Sequence, residues 1–254
     1  DIQLRGCLFL ASLAVGSYAN HTMIVDLGGV EAVTRAMSEF SMHPSMHPSM
    51  HLLQGSGVWL LGSLAASNTT HSGSGGHQDV ELVVRAMKTF ANNEFVQERG
   101  CKALYNLASS GDQKCEAMVL KGGMDVIVKA MKQFVVRDIQ ANGTRALGCV
   151  ANHFLDRVGE DVVKKAAELV VQAMFDFRQD ELMQEYGCFA LLELARFGSD
   201  QFRSLLGSPL LLNAIASSME RFPMSELLQA SGCYALNYLA SNQVGHFTAM
   251  SCVD

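Results

Sequence analysis

The sequence predicts an all-α fold, an α-solenoid of about six helical repeats, and three observations carry that prediction. First, one phrase recurs along the chain: GCLFLASLA at 6–14, GVWLLGSLA at 57–65, GCKALYNLA at 100–108, GTRALGCVA at 143–151, GCFALLELA at 187–195 and GCYALNYLA at 232–240. Its lead residues, Gly6, Gly57, Gly100, Gly143, Gly187 and Gly232, are spaced 51, 43, 43, 44 and 45 apart. Self-similarity at such a period is the mark of a repeat architecture. Second, a V-x-A-M-x-x-F phrase follows each of the first five copies, as Val84–Phe90, Val128–Phe134 and Val171–Phe177. It is looser at Val33, Met37 and Phe40, and weaker at Ala216, Met219 and Phe222. Its Met and Phe are always three residues apart, so they share one helical face. Third, there are only 4 Pro in 254 residues, and proline is what would break helices.

Composition narrows the class further. Apolar residues make up 49% and charged residues 17%, the reverse of a disordered chain. The net charge of −6 provides no basic stripe for nucleic acid. The longest apolar runs, around Cys7–Ala14 and Val58–Ala66, reach about half the ~18–20 residues of a membrane span.

Each element then follows from local chemistry. From each lead glycine, apolar residues fall at offsets +1, +4, +7 and +8, which is helical spacing. Around Gly100, Asn92 or Asn93 can cap a helix running through Val96, Cys101, Leu104 and Leu107. A turn is expected at Ser109–Asp112, then a short helix at Gln113–Leu120 closed by Gly122-Gly123, then an amphipathic helix from about Met124 to Phe134. Three helices in 43–45 residues make one solenoid unit, and residues 1–254 are read as a single domain of such units. The 51-residue gap holds SMHP-SMHP-SMHL at 41–52; removing two four-residue units brings it to 43, so this is a loop insertion. Asn68–Gln78, rich in Gly and Ser, reads as a loop in place of a first helix. Repeat phase starts the chain inside a long third helix near Ile2 and ends it in what should be a first helix near Val244–Met250, without polar capping repeats. That suggests part of a longer protein, or a small solenoid whose ends a partner covers.

The phrase with Ala103, Leu104, Asn106, Leu107 and Ala108, and the glycine starts Gly28-Gly29-Val30 and Gly122-Gly123-Met124, resemble the armadillo repeat family over nearly the whole chain. The G-C-x-A-L-x-x-L-A wording is also similar to the armadillo regions of leucine-rich-repeat kinases. The resemblance implies a right-handed superhelix with its third helices along a concave groove. Offsets +2 and +6 avoid the apolar stripe and would face that groove. The +2 row is Leu8, Trp59, Lys102, Arg145, Phe189 and Tyr234; the +6 row is Ser12, Ser63, Asn106, Cys149, Glu193 and Tyr238. Aromatics and cations on one ridge suit protein recognition. The candidate partner-binding residues are therefore Trp59, Lys102, Asn106, Arg145, Phe189, Glu193, Tyr234 and Tyr238. Trp59 falls where the family often has a groove tryptophan. Asn106 is the only asparagine at the family's peptide-clamping position, which argues against import-signal binding. The aromatics could instead pack between repeats, and Lys102 and Arg145 could form an ordinary solvated face.

The expected partner is a protein or extended peptide, and the expected role is a non-catalytic interaction scaffold. The alternative is an assembly arm that makes its contacts, including self-association, through apolar ends around Leu8–Leu13. Cys7, Cys101, Cys188 and Cys233 share offset +1 on the apolar face, so they read as core thiols. Stacked helices ~8–10 Å apart keep them beyond disulfide reach, which implies an intracellular, reducing compartment. His43, His47 and His51 could hold a metal on a helix, but Pro44 and Pro48 remove that helix, so no metal or cofactor is expected. No nucleotide-binding, hydrolase or zinc-protease motif occurs. The acidic pairs Glu160-Asp161, Asp180-Glu181 and Glu94/Glu98 read as first-turn charges rather than catalytic acids.

Overall fold

A computed structural model of the chain describes residues 2–14, 17–39, 49–66, 78–154, 159–197 and 209–250. Among these residues there are thirteen helices and no strand. They are α1 (Ile2–Ala14), α2 (Tyr18–Asp26), α3 (Gly29–Glu39), α4 (Met50–Ala66), α5 (Gln78–Thr89), α6 (Glu94–Ser109) and α7 (Asp112–Lys121). Then follow α8 (Gly123–Gln133), α9 (Arg137–Phe154), α10 (Glu160–Asp176), α11 (Glu181–Phe197), α12 (Pro209–Arg221) and α13 (Glu226–Met250). The fold is an armadillo-like α-solenoid.

Two compact units form, Asp1–Ala130 and Met131–Asp254. In the first, the long glycine-led helices lie side by side, α1 on α4 and α4 on α6. The shorter helices back them, with α3 on α4, α5 on both α4 and α6, and α7 on α5 and α6. In the second unit α9 packs on α11 and α11 on α13, while α10 backs α9 and α11, and α12 backs α13.

Helix ends follow the expected chemistry. Asn93 caps α6, its Oδ1 accepting the Val96 amide at 3.1 Å. Ser17 caps α2 and Asp180 caps α11 in the same way. Gly28 and Gly122 turn the chain with φ of 74° and 76°. The glycines after them open α3 and α8. A side chain on Gly29 would sit 2.6 Å from Ile24 Cγ2, so only glycine permits that tight corner.

The lead glycines sit inside the long helices, and the structure shows what they admit. A Cβ at Gly57 would lie 2.5 Å from Met37 Sδ; at Gly100, 2.5 Å from Met87 Sδ; at Gly232, 2.6 Å from Met219 Sδ. Gly187 faces Met174 likewise. Met37, Met87, Met174 and Met219 thus lie against the next long helix, and Met37, Met87, Met131 and Met174 are buried.

A glutamine three residues before each of these glycines completes the joint. Gln97 Nε2 donates to Met87 O at 2.9 Å and Phe90 O at 3.0 Å. Gln140 donates to Met131 O and Phe134 O at 2.6 and 2.9 Å, Gln184 to Met174 O and Phe177 O at 2.9 and 3.0 Å, and Gln229 to Met219 O and Phe222 O at 2.8 and 3.1 Å. Gln54 donates to Met37 O at 2.8 Å. The last carbonyls of a helix have no intrahelical partner, and these amides satisfy them.

Several expectations need correction. Not every repeat has three helices: only residues 155–159 separate α9 from α10, too few for a first helix. The insertion read as 41–52 is shorter as a loop, since α4 already begins at Met50 and takes in His51. The expected break between a third helix and a new first helix near Val244 is absent, because α13 runs through to Met250 with no proline or positive-φ glycine to stop it. Cys7, Cys101 and Cys188 are buried as expected, but Cys233 is exposed. It sits on α13, the last described helix, with no later described helix to cover it. Residues 41–48, with His43 and His47, and residues 67–77, with most of the expected Gly/Ser loop, lie outside the described residues.

Candidate functional site

In the first unit the predicted site residues ride on the adjacent helices α4 and α6. Trp59 of α4 is half-buried, and the Arg99 guanidinium of α6 lies over its ring, 4.6 Å from the centroid. The same guanidinium is 5.4 Å from the Phe95 ring. Phe95 rests where a side chain on Gly55 would be. Arg99 Nε is buried and makes no hydrogen bond; its nearest carboxylate oxygen is Glu98 Oε1 at 3.9 Å. The cation is held chiefly by the negative faces of two rings. Lys102, one turn on, is exposed. Asn106 is half-buried, and its Nδ2 donates to Gly62 O on α4 at 2.9 Å. Gly62 makes room for this, since a Cβ there would meet Ala103 Cα at 2.6 Å. Asn106 therefore braces α6 on α4 with one of its amide hydrogens. Ser63 and Ser12 turn inward to the carbonyls of Trp59 and Leu8.

In the second unit Arg145 of α9 is half-buried, its guanidinium 4.4 Å from the Tyr186 ring of α11. The Phe189 ring packs against Gly148, with Cε1 3.0 Å from where a Cβ would be, so it serves the α9–α11 contact. Glu193 is buried, its Oε2 3.8 Å from Arg196 Nη1. Tyr234 is 61% exposed and Tyr238 is half-buried. Cys149 is half-buried. Trp59, Lys102 and Asn106 are thus gathered on one helix pair, and Arg145, Phe189 and Glu193 on another. Tyr234 stands open on α13.

Arg99, Phe95 and Tyr186 escaped the sequence reading, since they lie before the lead glycine and outside the two scored rows. A signal was there: offset −1 in one helix faces offset +2 in its neighbour, as Arg99 faces Trp59 and Tyr186 faces Arg145. The glutamines of the joint lay just outside the phrase as well, yet Gln54, Gln97, Gln140, Gln184 and Gln229 all recur at offset −3, as does the exposed Gln3.

The remaining chemistry is quiet. Burial pushes the Cys7 thiol up to about 11 and those of Cys101 and Cys188 up to about 12. Such thiols stay protonated and unreactive at neutral pH. Burial also pushes the Asp180 carboxyl up, but hydrogen bonds from Arg137 and from the Met183 and Leu182 amides outweigh it, leaving the carboxyl below its ordinary value. Lys114 pairs with Asp79 and Lys121 with Glu81, both at 2.6 Å, tying α7 to α5. The hydrogen bond from Lys121 holds Glu81 below its usual value. Among the described residues no group of His, Cys, Asp and Glu could hold a metal ion, and no helix is long and apolar enough to cross a membrane. A surface depression at the α10–α11 turn, lined by Phe175 to Leu182, contains none of the predicted site residues.

No curated protein matches the chain. The family model of the LRRK2 ARM repeat matches residues 1–158, more than half of the sequence. With its glycine-led long helices and armadillo-like fold, the chain belongs to the LRRK2 ARM repeat family.

Proposed function

We propose that the chain is a non-catalytic interaction scaffold that binds a protein or extended peptide through exposed positions of its long helices. Repeats of this family are typically protein-interaction scaffolds. The observation that carries the reading is the composite on α4 and α6. A half-buried tryptophan stacks with Arg99, and exposed Lys102 stands beside it. Trp, Tyr and Arg are the residue types that dominate interface energetics, and stacking holds this pair in place before a partner arrives. Tyr234, open on α13, offers a second aromatic anchor. Arg145, Phe189, Glu193 and Tyr238 line the same offsets in the second unit, while Asn106 supplies a remaining amide hydrogen in the first. The repeat-locked free thiols support a reducing compartment.

The test compares the wild type with Trp59→Ala and Tyr234→Ala in affinity capture from the native source, followed by titration of the recovered partner. Loss of an anchor is expected to weaken binding about 30-fold, the scale of an interface hot spot. Unchanged affinity in both variants, with helical circular dichroism intact, would sink the proposal.

A further inference from the structure

The long helices of the first unit gather cations without acids. Offsets −1, +2 and +6 of α1, α4 and α6 carry Arg5, Arg99 and Lys102 and no carboxylate. The chain as a whole has the opposite balance, 25 Asp and Glu against 19 Lys and Arg. On α6, at about 3.6 residues per turn, Phe95, Arg99, Lys102 and Asn106 fall within about 60° of one line along the helix, while Glu94 and Glu98 lie off that line.

Neither α6 cation is neutralised from within. The nearest carboxylate oxygen to Arg99, Glu98 Oε1, is 3.9 Å away, too far for a hydrogen bond, and Arg99 Nε is buried with no acceptor. Lys102 is exposed and forms no ion pair among the described residues.

Stacking changes what Trp59 can recognise. A bare indole face attracts a cation. Here the face already holds Arg99, 4.6 Å from the centroid. A partner's basic residue would find the ring taken and two like charges beside it. An anion instead meets a guanidinium that two rings have already ordered, so less entropy is lost on pairing. Next to these charges Leu52 of α4 is 37% exposed, and Phe95 lies over Gly55, one turn along from it.

We infer that the α4–α6 ridge takes an extended acidic segment of a partner protein, with two carboxylates two residues apart and an apolar residue beside them. One carboxylate pairs with Arg99, the other with Lys102, and the apolar residue rests on Leu52 and Phe95. The spacings match: alternate residues of a strand share one side about 6.6 Å apart, and residues three apart on a helix have Cβ atoms about 5–6 Å apart. This inference depends on the long helices being the interaction surface proposed above, and it fixes the partner's charge there.

The test is selection of a random-heptapeptide display library on the full chain, with the recovered consensus synthesised, labelled and titrated by fluorescence anisotropy. Acid-x-acid sequences with a neighbouring apolar residue should be enriched. Lys102→Glu should weaken their binding about tenfold or more, and a peptide with its matching acid changed to lysine should regain affinity for that variant alone. Arg99→Gln should weaken binding likewise, and raising the salt from about 0.05 M to about 0.5 M should cost the wild type about tenfold. Lys102 is exposed, so Lys102→Glu should keep the wild-type melting curve. Enrichment of neutral or basic peptides overturns the inference and leaves the scaffold reading standing. Acidic peptides indifferent to both Lys102→Glu and Arg99→Gln overturn it too, because they bind elsewhere. Recovery of no peptide also overturns it, while partner capture with Trp59→Ala and Tyr234→Ala judges the scaffold reading separately.

Discussion

Truncating one glutamine should cost more than its polarity suggests, and Gln97→Ala isolates the effect. Gln97 is 2% exposed, and its single Nε2 serves two carbonyls, Met87 O and Phe90 O. The bond to Met87 O is buried; the bond to Phe90 O is part-buried, where water can replace the amide. A buried acceptor left without a donor costs about 1–3 kcal/mol, and the part-exposed one adds about 0.5–1 kcal/mol, so the loss should be about 1.5–4 kcal/mol. Urea unfolding of the full chain measures the total, and amide hydrogen exchange should place the weakening in the last turn of α5. Gln3→Ala provides the internal control, since Gln3 occupies the same offset on an exposed face and should cost nothing measurable. Gln97→Glu tests the mechanism at constant volume: a carboxylate cannot donate, and its charge would face two carbonyl oxygens. A Gln97→Ala loss below about 0.5 kcal/mol, the low end for a single net hydrogen bond, or one no larger than that of Gln3→Ala, would refute the joint.

One substitution pair and one labelling pattern probe the same packing. Gly62→Ala should destabilise by about 1–3 kcal/mol, because its methyl would meet the Ala103 backbone at 2.6 Å, whereas Gly6→Ala, with nothing within 4 Å, should stabilise by about 0.5–1 kcal/mol as a helix-interior replacement; thermal melts of the two variants decide it. Native-state alkylation followed by mass spectrometry should label exposed Cys233 ahead of Cys101 and Cys188, whose thiols burial pushes up to about 12, and equal labelling would contradict the packing.

The fold was legible in the sequence because its information is periodic. A lead glycine, a helical apolar spacing and an M-x-x-F phrase each recur, and each corresponds to one repeated contact. What was not legible were the departures from periodicity. The absence of a first helix between α9 and α10 depends on chain length in one connection, not on any motif. The exposure of Cys233 depends on what lies next to α13. A +1 position that is core in α1, α6 and α11 is surface in α13, where no later helix among the described residues covers it, although the local residues are the same.

The candidate site is less periodic than the fold. Offsets +2 and +6 do mark one ridge, but a ridge between stacked helices is shared between surface and joint. Asn106 reaches Gly62 O and Phe189 lies on Gly148, so both spend much of their contact area on the neighbouring helix. Lys102 and Tyr234 have no such duty and stand in solvent. The deciding variable is the residue across the joint. Where that neighbour is glycine, the larger side chain opposite is drawn in to fill the space; where the neighbour offers an aromatic face, as Trp59 does to Arg99 and Tyr186 to Arg145, a cation is held at the rim. Pairs of offsets read across consecutive repeats, rather than single rows, therefore carry the distinction between packing and recognition in this solenoid.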